Sequence, residues 1–379
     1  MRLLSVYMYI LKGYEKMKTR MILILILCLA IVIIPGCSKK TYERITQKAP
    51  FPTNEWSKAY PEELGISSEM LDKADKRIKR AYPNFMSMLV IKEGYLVYEK
   101  YYNSHHENKI RDTYSVTKSF MSALTGIAIE KGYIESIDDK VSEYIPEYFT
   151  MLDDERKKDI TIKQVLTMTG GLESIDNNYT SFFISEDWLE AALAKPMTHN
   201  PGDVFVYNTG LTQLLSSVIS RTTGMSVMDY AKENLFEKIG MNVTYWQSDE
   251  SGNNGGGSGL CLTSQDMARF GYLYLNEGTW DGVQVISSEW FKDSLTGHIK
   301  ANDTQDYGYL FWIEEITDTV NNKTYSMYQA YGSGGQIIMV VPELDMVIVI
   351  TCDRAISPTV KPMTRDIITG YILPSAYME

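Results

Sequence analysis

The sequence predicts an α/β (α+β) protein in which one antiparallel sheet, built from both chain ends and flanked by helices, carries a large inserted helical lobe. Strand-like residues occur early in the chain, at 86–98, and again near its end, at 310–352. The residues between them, from about 115 to 290, have a mostly helical pattern. Because strand patterns lie at both ends, we expect the two ends to complete one sheet around the inserted lobe.

The first 36 residues indicate a secretion signal rather than part of the fold. Residues 21–35 are almost unbroken apolar and follow a cationic segment, and the run is short for a membrane span. Ile34-Pro35-Gly36-Cys37 resembles a bacterial lipobox, which implies that Cys37 is lipidated and becomes the mature N-terminus. The alternatives are an uncleaved N-terminal anchor helix and, for the start of translation, Met17 instead of Met1.

Residues 37–60 are polar and contain proline, which predicts a tether between the lipid and a domain at 61–379. Removing residues 1–36 takes five basic and one acidic residue from the 37 basic and 48 acidic residues of the chain, so the remainder has a formal charge of −15. An acidic chain without a basic cluster argues against a nucleic-acid partner. We expect an extracytoplasmic lipoprotein anchored to a bacterial membrane; the oligomeric state is left open.

The elements of the domain follow in chain order. Ser67 opens an amphipathic helix, and the apolar runs at 86–91 and 95–98 flank a Lys92-Glu93-Gly94 turn, which predicts a β-hairpin. After the helical lobe, the pattern predicts four strands and a closing helix: Leu310–Ile313, Tyr325–Ala330, Gln336–Val341, Met346–Cys352 and Thr359–Leu373.

The most informative stretch places Ser115 three residues before Lys118, the only S-x-x-K match in the chain. In a helix capped by Thr113 and ended by Lys131-Gly132, these two side chains share one face. A serine hydroxyl is a poor nucleophile until a base takes its proton, and an unprotonated lysine can be that base. The alternative is a helix N-terminus with a solvated lysine.

Two further segments carry candidate site residues. Tyr207 lies in Asn200 to Gly210, bracketed by a turn and a glycine, and its alternative role is packing. Tyr331 to Gln336 precedes a predicted strand, and its glycines allow a backbone to approach a ligand closely. A bare turn or bulge is the alternative there.

In this order and spacing, the three segments resemble the motifs of the penicillin-recognising serine hydrolases. The chain is most similar to the class C β-lactamase-related branch, which implies a β-lactamase/transpeptidase-like fold, and it also resembles the 6-aminohexanoate-dimer hydrolases and esterases. The resemblance runs from about Pro61 to Ile372. The matching stretches are Ser115–Phe120, Val165–Leu172, Tyr207–Gly210, Gly259-Leu260, Asp266–Gly271 and Gly334–Gln336.

The resemblance implies a role for each matching residue. Ser115 is the acylated nucleophile, Lys118 takes or relays its proton, and Tyr207 is a second base. The oxyanion hole is formed by the N–H groups of Ser115 and Gly335. The residues assigned to substrate binding are Asn208, Gly332, Ser333 and Gly334.

Two departures bear on the substrate. Thr209 stands at the family's Asn position, and Gly332 stands where the third motif has a cation. Because these groups hold peptide-like substrates, their change favours an esterase or amidase. The alternatives are a D-alanyl-D-alanine carboxypeptidase or β-lactamase, and a non-catalytic penicillin-binding sensor. We expect the loops at 177–186 and 253–259 to set selectivity.

No cofactor is predicted. The four histidines and the acidic residues show no metal-ligand spacing, and no G-x-S-x-G motif indicates a histidine-based hydrolase. His105-His106 is expected to be solvated. Cys261 and Cys352 allow one disulfide or two buried thiols.

Overall fold

The computed structural model describes residues 2–30, 42–150, 152–356 and 361–376. The chain divides into two compact units, residues 1–43 and 44–379. The first unit contains helix α1 (Arg2–Ala30). Among the described residues, no helix combines the length and the apolar character needed to cross a membrane. Cys37 lies outside the described residues, so its lipidation stays a prediction.

The second unit is built on an eight-stranded antiparallel sheet with the strand order β2-β1-β13-β12-β11-β10-β9-β8. The first hairpin of the domain therefore pairs with its last strand, which confirms the predicted sheet built from both chain ends. The strands are β1 (Phe85–Lys92), β2 (Tyr95–Tyr101), β3 (Arg111–Asp112), β4 (Tyr245–Trp246), β5 (Leu260–Leu262), β6 (Thr279–Trp280), β7 (Val283–Gln284), β8 (Ile299–Lys300), β9 (Asp306–Tyr307), β10 (Trp312–Thr317), β11 (Thr324–Gly332), β12 (Gln336–Val341) and β13 (Met346–Cys352).

Helices cover both faces of the sheet and fill the segment between β2 and β8. The α-helices are α2 (Ser68–Ala81), α3 (Val116–Glu130), α4 (Val141–Tyr144), α5 (Ile162–Leu166), α6 (Tyr179–Phe183), α7 (Trp188–Leu193), α8 (Gln213–Thr223), α9 (Val227–Ala231), α10 (Ser264–Leu275), α11 (Ser288–Ser294), α12 (Lys361–Ile367) and α13 (Leu373–Ser375). A π-helical turn, Ile368–Ile372, joins α12 to α13.

Alternation along the central strands builds two cores. On β13, Val347 and Val349 face the core shared with α3, α10 and the helical lobe, whereas Ile348 and Ile350 face the core shared with α2 and α12. This period of two is what buries both faces of the sheet. It fixes α3 against the sheet face from which the site is built.

The predicted helix at Ser67 and the predicted hairpin are confirmed. The Ser67 hydroxyl caps α2 by accepting a hydrogen bond from the Met70 N–H. Glu93 and Gly94, both with positive φ, turn the chain between β1 and β2. The four strand-like runs near the C-terminus correspond to β10, β11, β12 and β13.

Four details differ from expectation. Residues 44–60 of the predicted tether belong to the compact second unit, where Trp56 is buried. Thr113 does not cap α3, because its hydroxyl donates to the Leu260 carbonyl instead. His105 is buried rather than solvated. Cys261 and Cys352 are both free thiols, so they form no disulfide.

Candidate active site

Ser115 stands at the N-terminal end of α3, directly after a constrained turn. Tyr114 has a φ of +49°, a conformation that costs free energy in a non-glycine residue. The Asp112 carboxylate holds this turn by accepting a hydrogen bond from the Tyr114 N–H at 2.8 Å. The turn therefore presents Ser115 at the start of α3, where the helix dipole favours negative charge.

Lys118 follows one helical turn later and is 1% exposed. Its Nζ lies 3.0 Å from Ser115 Oγ, 2.9 Å from Thr209 Oγ1 and 2.8 Å from the Gly257 carbonyl oxygen. Burial lowers the pKa of Lys118 to about 8, and the charge of Asp176 opposes part of that shift. About a tenth of this lysine is therefore an unprotonated amine at pH 7.

The hydrogen-bond partners of Lys118 decide where its lone pair points. The Gly257 carbonyl can only accept. The Thr209 hydroxyl donates its own hydrogen to Asp176 Oδ1 at 2.7 Å, so it too can only accept from Lys118. These two acceptors use both N–H groups of a neutral amine. The lone pair then faces the third neighbour, the Ser115 hydroxyl, and is able to accept its proton.

Asp176 organises this network through Thr209. It was not among the residues that the sequence predicted for the site. Its carboxylate accepts hydrogen bonds from the Thr209 N–H at 2.7 Å, from the Thr209 hydroxyl, from Ser174 Oγ at 3.0 Å and from the Tyr179 hydroxyl. Asp176 thus fixes the hydroxyl of Thr209, which in turn contacts Lys118. No spacing signal in the sequence points to this acid, because it acts through a residue 33 positions away.

Tyr207 contacts both Lys118 of α3 and Trp312 of β10. Its ring stacks on Trp312 of β10 with centroids 5.8 Å apart, and Lys118 Nζ lies 4.9 Å from its ring centre. Burial raises the pKa of the Tyr207 phenol well above its usual value, and a smaller effect of Ser115 lowers it, so the resting side chain is neutral. A neutral phenol must lose its own proton before it can act as the predicted second base.

Asn208 is not brought to the cavity. Its amide nitrogen donates to the carbonyls of Leu172 and Glu173, and its oxygen accepts from the N–H groups of Gly210 and Ile175. The side chain is buried and uses both ends of its amide to hold neighbouring backbone. This corrects the assignment of Asn208 to substrate binding.

The third motif reaches the nucleophile through close backbone packing. A Cβ on Gly332 would lie 2.2 Å from the Thr113 carbonyl oxygen, so no larger residue fits without moving the strand before Ser115. The glycine that replaces the family's cation is therefore required by this packing. Gly332 contributes backbone contact here and cannot carry a side chain to the substrate.

The turn after Gly332 changes the expected oxyanion hole. The Gly335 N–H donates to the Gly332 carbonyl at 3.1 Å and is thereby occupied, which corrects its assignment as an oxyanion donor. Gly334, with a φ of +80°, supplies the left-handed residue of this turn. Within the described ranges, the N–H groups of Ser115 and Ser333 make no hydrogen bond. These two amides remain available to an oxyanion.

A cavity of about 240 Å³ opens beside Ser115. Ser333 lines it from the third motif. Tyr179 and Phe183 line it from the loop at 177–186, and Ser258 lines it from the loop at 253–259, so the selectivity predicted for these loops stays a prediction. The remaining lining residues are Asp112, Tyr114, Gln247 and Arg354. Arg354 is a cation that the sequence patterns did not indicate.

The four histidines all lie in the part of the chain that the structure describes. None of the four histidines lines the cavity. No group of three or more histidine, cysteine, aspartate and glutamate residues with metal-binding geometry occurs among the described residues. The chemistry available at the site is that of the hydroxyl, amine and phenol of Ser115, Lys118 and Tyr207.

Comparison with known proteins matches most of the chain to one family. The family model described as Beta-lactamase matches residues 82–369, which include Ser115, Lys118, Tyr207 and the third motif. A 6-aminohexanoate-dimer hydrolase of Paenarthrobacter ureafaciens is 25% identical over 270 residues, which make up 62% of this chain and 64% of that protein. The alignment therefore spans a little under two thirds of that relative.

Solved structures show the same fold. A candidate 6-aminohexanoate-dimer hydrolase from Bacillus anthracis has a TM-score of 0.68 at 23% identity and covers 87% of this chain and 89% of its own. A variant of a class C β-lactamase has a TM-score of 0.62 at 20% identity, with 81% and 98% covered. At these identities, the likeness shows the fold alone.

Proposed function

We infer the function of this protein from one premise: the chain belongs to the beta-lactamase family and is a serine hydrolase. We propose that it cleaves a small ester or amide through a covalent acyl-enzyme on Ser115. One observation carries the proposal. The Lys118 amine has acceptors for both its hydrogens in Thr209 and Gly257, which leaves its lone pair for Ser115.

Two further observations support an ester or amide over a peptidoglycan-like substrate. Thr209 and Gly332 replace the groups with which the family's β-lactamases and peptidases hold peptide-like substrates. The relative from Paenarthrobacter ureafaciens is named for the hydrolysis of a 6-aminohexanoate dimer, a small linear amide. We therefore propose a substrate of that size and bond type.

Acylation begins at Ser115 Oγ, which attacks the substrate carbonyl carbon while its proton passes to Lys118 Nζ, 3.0 Å away. Negative charge then develops on the carbonyl oxygen. We assign its stabilisation to the N–H groups of Ser115 and Ser333, and such a donor typically contributes about 3 kcal/mol. The bond to the leaving group breaks as that group takes a proton from the Tyr207 phenol. The proton on Lys118 restores the phenol, and water releases the acyl group by the reverse route.

The first test is pre-steady-state hydrolysis of p-nitrophenyl acetate by the full-length protein. We expect a burst of nitrophenol near one equivalent, followed by steady turnover. Ser115→Ala should abolish both, with a loss of roughly 10⁴-fold or more. Equal activity in the Ser115→Ala protein would remove the acyl-enzyme from the mechanism. Acylation by a β-lactam without turnover, and no ester hydrolysis, would instead favour the sensor alternative.

We also propose that the protein acts outside the cytoplasm, held at a membrane by a lipid on Cys37. The support is the sequence pattern of residues 21–37, an apolar run followed by Gly36-Cys37. Expression with a labelled fatty acid should mark the wild-type protein in the membrane fraction. Cys37→Ala should lose the label, and labelling of that variant would contradict the proposal.

A further inference from the structure

We propose that Arg354 binds a carboxylate of the substrate and so replaces the cation that the third motif lacks. This inference rests on the proposed function, because it names the substrate class of the same cavity. The expected substrate is an ester or amide that carries a carboxylate within reach of the scissile bond. Packing around the turn at 332–335 decides where such a cation can lie.

The backbone excludes a cation at the expected place. The Thr113 carbonyl oxygen occupies the space in which a side chain on Gly332 would begin, 2.2 Å from the Cβ position. Any cation that serves this side of the cavity must therefore come from another segment. The segment that follows β13 is the one that packs on the turn.

Arg354 lies against the turn because Gly334 has no side chain. A Cβ on Gly334 would lie 2.6 Å from Arg354 Cβ and 2.9 Å from its Cα. This close approach brings the backbone of Arg354 to the wall that carries Ser333. Arg354 then lines the same cavity as Ser115 and Ser333.

Two aromatic rings hold the guanidinium at the cavity. Its central carbon lies 5.2 Å from the ring centre of Tyr114 and 5.9 Å from that of Tyr179. These contacts restrict the side chain without neutralising its charge. Within the described ranges, Arg354 forms no salt bridge. The cation is thus positioned and open to a ligand.

Among the described residues that line the cavity, Asp112 is the acidic one. Its Oδ1 accepts hydrogen bonds from the N–H groups of Tyr114 at 2.8 Å and Gly259 at 3.2 Å. Burial raises the pKa of Asp112, and the charge of Arg354 opposes part of that shift, but the two side chains form no salt bridge, which leaves the guanidinium within reach of an incoming anion. A planar guanidinium matches the two oxygens of a carboxylate. A cavity of about 240 Å³ accommodates a small molecule.

Matched substrates test the proposal and locate the carboxylate. Mono-p-nitrophenyl glutarate carries it on the acyl side and is compared with neutral p-nitrophenyl pentanoate. In the other pair, 3-carboxy-4-nitrophenyl acetate carries the carboxylate on its leaving group, and neutral p-nitrophenyl acetate is its partner. For one of the two pairs, Arg354→Gln should lower kcat/KM of the anionic substrate roughly tenfold more than that of its neutral partner. Arg354→Lys should lower kcat/KM of the anionic substrate less than Arg354→Gln does. Arg80 is an exposed arginine on α2, and Arg80→Gln should leave the ratio of kcat/KM between the anionic and the neutral substrate as in the wild type.

Equal losses within both pairs would overturn the proposal. A binding measurement separates this failure from a failure of the proposed function. In the Ser115→Ala protein, calorimetry compares glutaramate with pentanamide, and N-acetyl-β-alanine with N-propylacetamide. Adding Arg354→Gln should weaken binding of one anionic ligand about tenfold relative to its neutral partner. An unchanged ratio would sink the carboxylate site whether or not the wild-type protein hydrolyses esters.

Discussion

The wall of the cavity on the helical side and the wall on the sheet side hold their cations in opposite environments. On the helical side, Lys118 is 1% exposed and contacts Ser115, Thr209 and Gly257. On the sheet side, Arg354 is exposed and lies next to the rings of Tyr114 and Tyr179. Arg354 lines the cavity and Lys118 contacts Ser115, which also lines it, but only Lys118 is removed from water.

This difference follows from what each group has to do. A lysine acts as a base only when desolvation lowers its pKa, and burial brings that of Lys118 to about 8. An arginine that binds an anion must keep its charge, and a guanidinium does so even in contact with solvent. The helical side of the cavity, where the chemistry takes place, therefore needs a buried network around its cation. The sheet side, where the substrate is recognised, needs only a cation held in position.

Lys118→Met gives the largest expected effect on the helical wall. Loss of the proton acceptor should reduce the acylation rate about 10³-fold, measured as the burst rate with p-nitrophenyl acetate. Lys157→Met is the matched control, because Lys157 is also fully buried but its amine contacts Asp153 and the Leu193 carbonyl instead of Ser115. That variant should change stability and leave the burst in the folded protein. A normal burst in Lys118→Met would show that burial of this lysine serves packing only.

The pH dependence of kcat/KM tests the same wall without mutation. Because burial lowers the pKa of Lys118 to about 8, the active unprotonated amine increases as pH rises toward that value. From pH 6 to pH 8, kcat/KM for a neutral ester should therefore rise about 50-fold. A profile that is flat over this range, after correction for spontaneous hydrolysis, would be inconsistent with Lys118 as the base.

Gly332→Ala tests the packing of the sheet wall. The added Cβ would meet the Thr113 carbonyl oxygen at 2.2 Å, so we expect a loss of about 2 kcal/mol in the free energy of unfolding and roughly tenfold in kcat/KM. Urea unfolding and ester hydrolysis measure the two. Gly370→Ala is the control, since the nearest atom to its Cβ would be 3.8 Å away. Identical behaviour of the two variants would argue against the close packing at Gly332.

Asp176→Asn gives the smallest expected effect and tests how the charge of Asp176 influences the pKa of Lys118. The charge of Asp176 raises the pKa of Lys118 against the effect of burial. Its removal should lower that pKa further, so the rising limb of the pH profile should move to lower pH by a fraction of a unit to about one unit. Loss of activity at every pH, with no displacement of the profile, would indicate a structural role alone.

Many features of the helical side of the cavity were predictable from local patterns in the sequence. The three-residue spacing of Ser115 and Lys118 fixes their proximity in any helix, and the period-two runs near both chain ends predict the sheet. Tyr207 was identified by resemblance of its segment to a family motif. Its phenol remains protonated for a different reason, the burial of the side chain, which no local pattern measures.

The remaining parts of the site depend on contacts distant in sequence. Asp176 reaches Lys118 through Thr209, and the Gly257 carbonyl comes from a loop 139 residues after the lysine. Asn208 fits the substrate-binding prediction by position, but the fold turns its amide to the backbone. Asn208 and Thr209 are neighbours in one motif, but their tertiary contacts give them different roles: Asn208 holds the backbone, and Thr209 contacts Lys118.

Periodicity and short spacing are enough to predict the antiparallel sheet from both chain ends, the inserted helical lobe and the proximity of Ser115 to Lys118. The assembled fold is needed to learn which amides make no hydrogen bond, why Gly332 carries no cation, and that Arg354 lines the same cavity as Ser115. Those features arise where segments far apart in the chain exclude water or share space. Desolvation and steric fit are properties of the assembled fold, so no local pattern records them.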